Sequence, residues 1–254
     1  MKTEILTLLR ETDGYVSGQE LCEKFGVSRT AVWKAINQLK EAGYEIEAVQ
    51  NKGYRLVSVP DILSESELQS VRKTRWIGEK IAFFDVVDST NTRAKQLAEE
   101  GAPNGTYVIA ERQDAGKGRR GRGFDSPAGQ GIWMTLVLKP EIDPNHASMI
   151  TLVTALAVSK AITDMTGRPA GIKWPNDIYW KDRKICGMLI ENTLVGRCIE
   201  NCIIGAGINI NQQTFCSDAP NPVSLRQITG KEQEPVFILA DTIKRFKDYY
   251  RKIQ

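Results

Sequence analysis
Residues 112–138 read RQDAGKGRRGRGFDSPAGQGIWMTLVL, a glycine-arginine loop that runs through Phe124 and Ser126-Pro127 into an apolar strand. The element after the loop decides the fold. A phosphate loop of the G-x-x-x-x-G-K-[ST] kind opens a helix, and here a strand comes next. Arg112, Lys117, Arg119, Arg120 and Arg122 stand against Asp114 alone, a local net of +4 that exceeds the +3 of the whole chain. Such a loop wants an anion. Gly116, Gly118, Gly121 and Gly123 let backbone N–H groups approach a ligand, and the guanidinium forks offer paired contacts to phosphate or carboxylate. By itself the run is equally compatible with a solvated loop or an RNA-binding arm.

Outward from the loop, periodicity predicts strands over 81–86, 106–110, 132–138, 171–174, 184–192 and 197–204, and helices over 91–100, 144–166 and 235–252. GAGININ (205–211) reads as a turn. Hairpin-linked strands with few helices between them predict an α+β domain on a mixed sheet.

The N-terminal part is different. Lys2–Arg10 places Ile5, Leu6, Leu8 and Leu9 on one stripe. Ser17 with Glu20 caps a second helix that Gly26 ends, and Ser28 caps a third, 29–42, that Gly43 stops. Tyr44–Val49 and Tyr54–Val57 flank an Asn51-Lys52-Gly53 turn. Three helices and a hairpin make a winged helix-turn-helix, whose third helix enters a DNA major groove N-terminus first. That nominates Ser28, Arg29, Thr30 and Lys34, with Lys52 and Arg55 on the wing for phosphates. Residues 1–60 carry eight cations and eight acids, so placement rather than net charge argues for DNA, and a helical protein-interaction domain is the alternative. VSVPDILSES, with Pro60, reads as the linker and Ser64 with Glu67 as the next cap, giving domains 1–60 and 61–254.

Several classes are excluded. Five cysteines with no C-x-x-C pair suit reduced thiols. One histidine, His146 at a helix start, leaves no histidine triad or multi-histidine metal site. The N-terminus is amphipathic rather than a signal peptide, and residues 148–162 fall short of the ~20 apolar residues of a span. A cytoplasmic protein with no membrane association is expected.

Four further stretches surround the loop. Asp88-Ser89-Thr90-Asn91 joins a strand end to a helix start, where its first task is capping. Lys173-Trp174-Pro175-Asn176-Asp177 ends a strand at a proline turn. Lys184-Ile185-Cys186-Gly187 opens the next strand, and Gly205-Ala206-Gly207-Ile208-Asn209 closes another. Each alone reads as turn, cap or bulge; together with the loop they form a site.

In this order the motifs Ser89-Thr90-Asn91, Q-x-x-G-K-G-R-R-G-R (113–122), GIWMTLVL, KWPNDI (173–178), KICGMLIE (184–191) and IGAGINI (204–210), preceded by the winged helix, resemble the bifunctional biotin protein ligases that also repress biotin operons. The resemblance covers nearly the whole chain. It implies a class II synthetase-like biotin/lipoate ligase domain that makes biotinyl-5′-AMP from biotin and ATP with Mg²⁺. The biotin then passes to a lysine of a biotin carboxyl carrier protein. Matched motif by motif, biotin falls to Ser89, Thr90, Asn91, Gln113, Gly116, Lys117, Arg119, Arg120, Lys184, Gly187, Gly205 and Gly207. The nucleotide falls to Arg122, Phe124, Asn176 and Asn209. Lys184, Arg119, Arg120 and Asp177 are the catalytic candidates, Asp177 either assisting the acceptor lysine or binding Mg²⁺. Phe124 stands where some relatives carry tryptophan, and Lys117 where many carry arginine. Joining the two parts of the chain leads to the hypothesis that the adenylate orders the loop and a neighbouring one such as Asn211–Ser224, acts as corepressor, and favours a homodimer on palindromic operator DNA. Relatives often end in a C-terminal β-barrel of roughly 50 residues, which this sequence is expected to lack. A ligand-sensing transcription factor without turnover is the alternative function, and a lipoate ligase lacks support because its expected histidine motif is missing.

Overall fold
The computed structural model describes residues 1–59, 63–71, 74, 76–216 and 221–253. They form two compact units, Met1–Val71 and Arg72–Gln254.

The first unit is built on helical stripes. Helices α1 (Lys2–Glu11), α2 (Gly18–Phe25) and α3 (Arg29–Glu41) bury Ile5, Leu6, Leu9, Leu21, Val32, Ala35, Ile36 and Leu39 in one core. Ser17 accepts the Glu20 N–H and Ser28 the Ala31 N–H, so both caps form as the sequence predicts. Gly26, at φ 63°, closes α2 in the left-handed conformation. Strands β1 (Glu45–Val49) and β2 (Gly53–Ser58) make the wing. A side chain at Gly53 would strike the Val16 carbonyl, which hydrogen-bonds the neighbouring Tyr54 N–H.

Helix α4 (Glu65–Val71) belongs to this unit rather than opening the next. It packs on α1, where buried Glu67 accepts hydrogen bonds from Arg10 Nη2 at 2.6 and 2.5 Å. The compact units divide after Val71, whereas the sequence predicts a boundary at residue 60. Pro60, Asp61 and Ile62 of the expected linker lie outside the described residues.

The second unit is a seven-stranded mixed sheet. Its strands are β3 (Ile81–Val87), β4 (Thr106–Gln113), β5 (Gly131–Leu138), β6 (Gly171–Lys173), β7 (Asp177–Trp180), β8 (Arg183–Val195) and β9 (Cys198–Asn209). They lie in the order β3-β4-β5-β9-β8-β7-β6. Strands β3 and β4 are parallel, joined through helix α5 (Thr90–Glu99), and the other pairs are antiparallel. Residues 205–209, expected as a turn, lie inside β9: Gly207 pairs with Trp133 on one side and Gly187 on the other. Glycine there serves close approach rather than reversal.

Helix α6 (Ala147–Thr166) packs against α8 (Pro235–Tyr250), which follows the short α7 (Leu225–Thr229), and touches β6, β7 and β8. With its preceding turn, Pro144–Thr166 is long and apolar enough by composition to cross a membrane, contrary to the sequence expectation. Its Ile150, Val153, Ala157, Val158 and Ile162 are nevertheless used in the protein core.

Candidate active site and nucleic-acid interface
A pocket of about 340 Å³ opens where the start of α5 and strands β4, β5, β8 and β9 meet the glycine-arginine loop. Its floor begins at Ser89-Thr90-Asn91, all buried. Ser89 takes the N-cap position of α5 without a side-chain cap bond. The Thr90 N–H instead donates to Gln113 Oε1 at 2.8 Å, so the expected capping role passes to a neighbouring strand.

A hydrogen-bonded chain runs through this floor. Lys95 Nζ and Asn91 Nδ2 both donate to Glu191, at 2.6 and 2.9 Å. The Thr135 hydroxyl lies 2.7 Å from Asn91 Oδ1 and 2.8 Å from Thr90 Oγ1. Gln113 Nε2 donates to Ser126 Oγ at 2.8 Å, and Ser126 donates to the Phe124 carbonyl at 3.1 Å. Because an anion ends the chain, its polarity is fixed: Asn91 must point its amide nitrogen at Glu191 and its oxygen at Thr135. Burial alone would raise the Glu191 carboxyl, but hydrogen bonds from Lys95 and Asn91 and the charges of Lys95 and Lys117 hold it below its ordinary 4.5.

Three glycines bring backbone to the pocket. A side chain at Gly205 would strike Asn91 Oδ1, and one at Gly207 the Phe124 ring. At Gly187 a Cβ would meet Lys184 Nζ at 3.0 Å and Phe124 at 3.1 Å. Phe124 is thus an inner wall, edge-on to Trp133 with centroids 5.9 Å apart.

The loop closes over this floor. Arg119 Nη1 donates to Asn176 Oδ1 at 2.9 Å, and Asn176 Nδ2 donates to the Met188 carbonyl at 2.7 Å. Lys117 Nζ reaches Thr92 Oγ1 at 2.9 Å. Arg120 adopts φ 58°, a left-handed conformation that costs a non-glycine residue roughly 1–2 kcal/mol. Arg119, Arg120 and Arg122 line the pocket but remain exposed. Beside them Lys184 Nζ lies 2.8 Å from Asp177 Oδ1.

The pocket lining thus gathers Ser89, Thr90, Asn91, Gln113, Lys117, Arg119, Arg120, Arg122, Phe124, Asn176, Asp177, Lys184, Gly187, Gly205 and Gly207. Gly116 and Asn209 stand outside it. Gly116 packs against the Phe124 carbonyl and Ser126 Oγ, where a Cβ would not fit. The Asn209 amide is spent on the Lys184 and Val223 carbonyls, both at 3.4 Å, and on Gln212 Nε2 at 3.0 Å. Met134, Trp174, Met188, Leu189 and Ala206 also line the pocket, and Thr135 and Glu191 support it from behind; all lie inside motifs marked in the sequence, but the sequence singles none of them out as a site residue. Alternation along β5, β8 and β9 marks one face of each strand as core, and nothing in it separates core from floor.

Asp177 is the carboxylate in the lining, and its Oδ1 is engaged by Lys184. No group of three or more His, Cys, Asp or Glu that could hold a metal occurs among the described residues. These residues do not make a protein-held Mg²⁺ cage; an ion arriving on a triphosphate would be held by phosphate oxygens. Burial pushes the thiol of Cys186 well up, so it is no nucleophile.

In the first unit, Arg29, Thr30 and Lys34 are exposed on α3, and Lys52 and Arg55 on the wing. Ser28 is exposed too, but its hydroxyl oxygen is used as the α3 cap. Arg55 donates to Glu47 at 2.7 Å and lies 5.1 Å from the Tyr15 ring centre, while Tyr15 donates to Glu47 at 2.6 Å. Of the two wing cations expected to meet phosphate, Arg55 is therefore paired with a neighbouring carboxylate.

A mixed sheet whose glycine-lined strands meet a cationic loop, on a chain that also carries a winged helix-turn-helix unit, defines an α+β protein with a helix-turn-helix module. The chain belongs to the biotin/lipoate A/B protein ligase family, whose pattern matches residues 83–209, and an HTH domain pattern matches residues 2–55. It is 40% identical over 244 residues to the bifunctional ligase/repressor BirA of Bacillus subtilis, covering 92% of this chain and 74% of that one. With the protein of the same description from Escherichia coli K12 the identity is 34% over 194 residues, 76% and 59% of the two chains. The biotin protein ligase from Aquifex aeolicus in complex with biotin and ATP superposes with a TM-score of 0.60 at 32% identity, over 68% of this chain and 71% of that one.

Proposed function
We propose that this chain is a biotin protein ligase that also acts as a biotin-responsive transcriptional repressor. It activates biotin with ATP to biotinyl-5′-AMP, then biotinylates a lysine of a biotin carboxyl carrier protein. The observation that carries this reading is the convergence of Lys184, Asp177 and Arg119 on one pocket whose floor is the Ser89-Thr90-Asn91 network.

The chemistry needs no protein nucleophile. The biotin carboxylate attacks the α-phosphorus of ATP, a carboxyl–phosphate bond forms, and the α–β bridge breaks to release pyrophosphate. Two anions must approach and charge grows on phosphoryl oxygens, so preorganised cations are the main requirement. Arg119, Arg120 and Lys184 supply them, with Mg²⁺ accompanying the ATP phosphates. Asn176 presets Arg119, and Asp177 presets Lys184. In the second step the acceptor lysine, ordinarily protonated up to a pKa of ~10.4, loses a proton and attacks the acyl carbon, releasing AMP. Asp177 is the carboxylate placed to assist.

The DNA module gives the product a second use. The Cys216 N–H donates to Asp125 Oδ2 at 3.0 Å, linking the segment before Ser224 to the end of the glycine-arginine loop. Lys184 exchanges backbone hydrogen bonds with Asn221 and Val223. Residues 217–220 between them lie outside the described set. Ordering of one loop by the adenylate then biases the other, favouring a homodimer that presents two α3 helices to palindromic operator DNA of biotin synthesis or uptake genes. We place the protein in the cytoplasm, where its DNA, its carrier substrate and its unpaired cysteines belong.

Biotin-dependent ATP–pyrophosphate exchange tests the reading. Exchange is expected, and its absence, with biotin still bound, would leave a ligand sensor without turnover.

A further inference from the structure
Trp33 is 58% exposed on α3, and the ligase chemistry makes no use of it. We propose that its indole reads a thymine in the major groove and so sets operator specificity, an inference that rests on the DNA-binding reading of the first unit.

The geometry of α3 argues for it. Val32, Ala35, Ile36 and Leu39 point into the core, which leaves Thr30, Trp33 and Lys34 on the open arc, with Arg29 exposed at its edge in the first turn. At about 100° per residue, Trp33 falls about 40° from Arg29 and about 60° from Thr30, one turn further along the helix. It therefore sits between two cationic positions, Arg29 and Lys34, on a face suited to the polyanionic backbone. Phosphate contacts position a protein but carry no sequence information. Arg29 and Thr30 on this arc can meet base edges through hydrogen bonds, and Trp33 is the large apolar group exposed on the helix. An indole offers a flat apolar surface and one N–H donor. In the major groove the 5-methyl of thymine is the apolar mark that distinguishes one base, and apolar side chains read it by contact. A large apolar side chain left in water on this arc gains burial only when the helix is seated in the groove.

The test uses duplexes selected from a random pool by the full-length protein with biotin and ATP, then re-made with single thymines replaced by deoxyuracil, which removes only the methyl. Parent protein should lose affinity on the order of tenfold at one thymine of each half-site. Trp33→Ala should bind the selected duplex that much more weakly and become indifferent to the same replacement, whereas Trp33→Phe should keep the discrimination. Circular dichroism of each variant checks that α3 is intact. Retention of full affinity by Trp33→Ala, or an unchanged deoxyuracil penalty in it, would overturn the inference while leaving DNA binding in place. Failure of the parent to retain any duplex would overturn the DNA-binding reading itself.

Discussion
Lys184 Nζ meets Asp177 Oδ1 at 2.8 Å because β8 carries an extra residue opposite β7. Ile178 pairs with Cys186 but Tyr179 with Lys184, so Ile185 is bulged. Without that register shift, alternation would send the lysine to the other face of the sheet. The bulge re-aims the side chain toward the pocket.

Lys184→Ala should reduce pyrophosphate exchange on the order of 10²-fold or more, the cost of removing one preorganised charge at a developing anion. Asp177→Asn should affect exchange less, because the lysine stays charged and loses only its guide. Single-turnover transfer from preformed adenylate separates the two. A larger effect of Asp177→Asn on transfer than on exchange would place the carboxylate at the second step, and equal effects would restrict it to holding Lys184.

Gly205→Ala drives a methyl into Asn91 Oδ1. Overpacking of this kind typically costs ~1–3 kcal/mol. Here the displaced group is also the hinge between Glu191 and Thr135. A lower denaturation midpoint and a raised KM for biotin are expected together, with the KM for ATP little changed. A biotin KM that does not move would mean Asn91 is structural only.

The order of the motifs in the sequence locates the pocket and nearly all of its polar lining, because hydroxyl, amide and cationic residues at strand ends are conspicuous. Gly205 and Gly207 point to the right site but to the wrong element: two glycines resemble a turn, and only the partner side chains, Asn91 and Phe124, show why a strand would want them. The Ile185 bulge, the Gln113 cap of Thr90 and the pairing of Glu67 with Arg10 are long-range relationships that local pattern does not encode. Thr135 is unreadable for the opposite reason, being one residue in an eight-residue apolar strand.

The depressed Glu191 carboxyl predicts a pH effect with a definite sign. Its folded value is below its unfolded one, so its contribution is present above about pH 4.5 and is lost as pH falls through the folded value. Over that acid window the unfolded chain binds more protons, and stability falls with falling pH. Acid denaturation followed by fluorescence should show a shallower slope for Glu191→Gln than for the parent. The same slope in both would show that Glu191 adds nothing to the acid sensitivity of the fold.

Glu47→Gln should free Arg55 and delete an anion from the wing. Non-specific DNA affinity is expected to rise, and the slope of log K against log salt to steepen by about one for the added phosphate contact. Burial is too slight here for a stability change to be anticipated. An unchanged salt slope would show that Arg55 does not reach the backbone.

The floor network sets the needs of the fold against those of the site. At position 135 a valine has nearly the shape of threonine, suits a strand interior at least as well, and would satisfy any criterion based on hydrophobic pattern. It would also leave Asn91 Oδ1 without its donor and disconnect Glu191 from Thr90. A redesign guided by hydrophobic pattern alone would thus leave a buried amide oxygen unpaired, at a typical cost of ~1–3 kcal/mol, and break the network under the pocket floor. The hydroxyl at 135 is a polar tie inside what otherwise reads as ordinary core, holding Asn91 at the edge of the pocket.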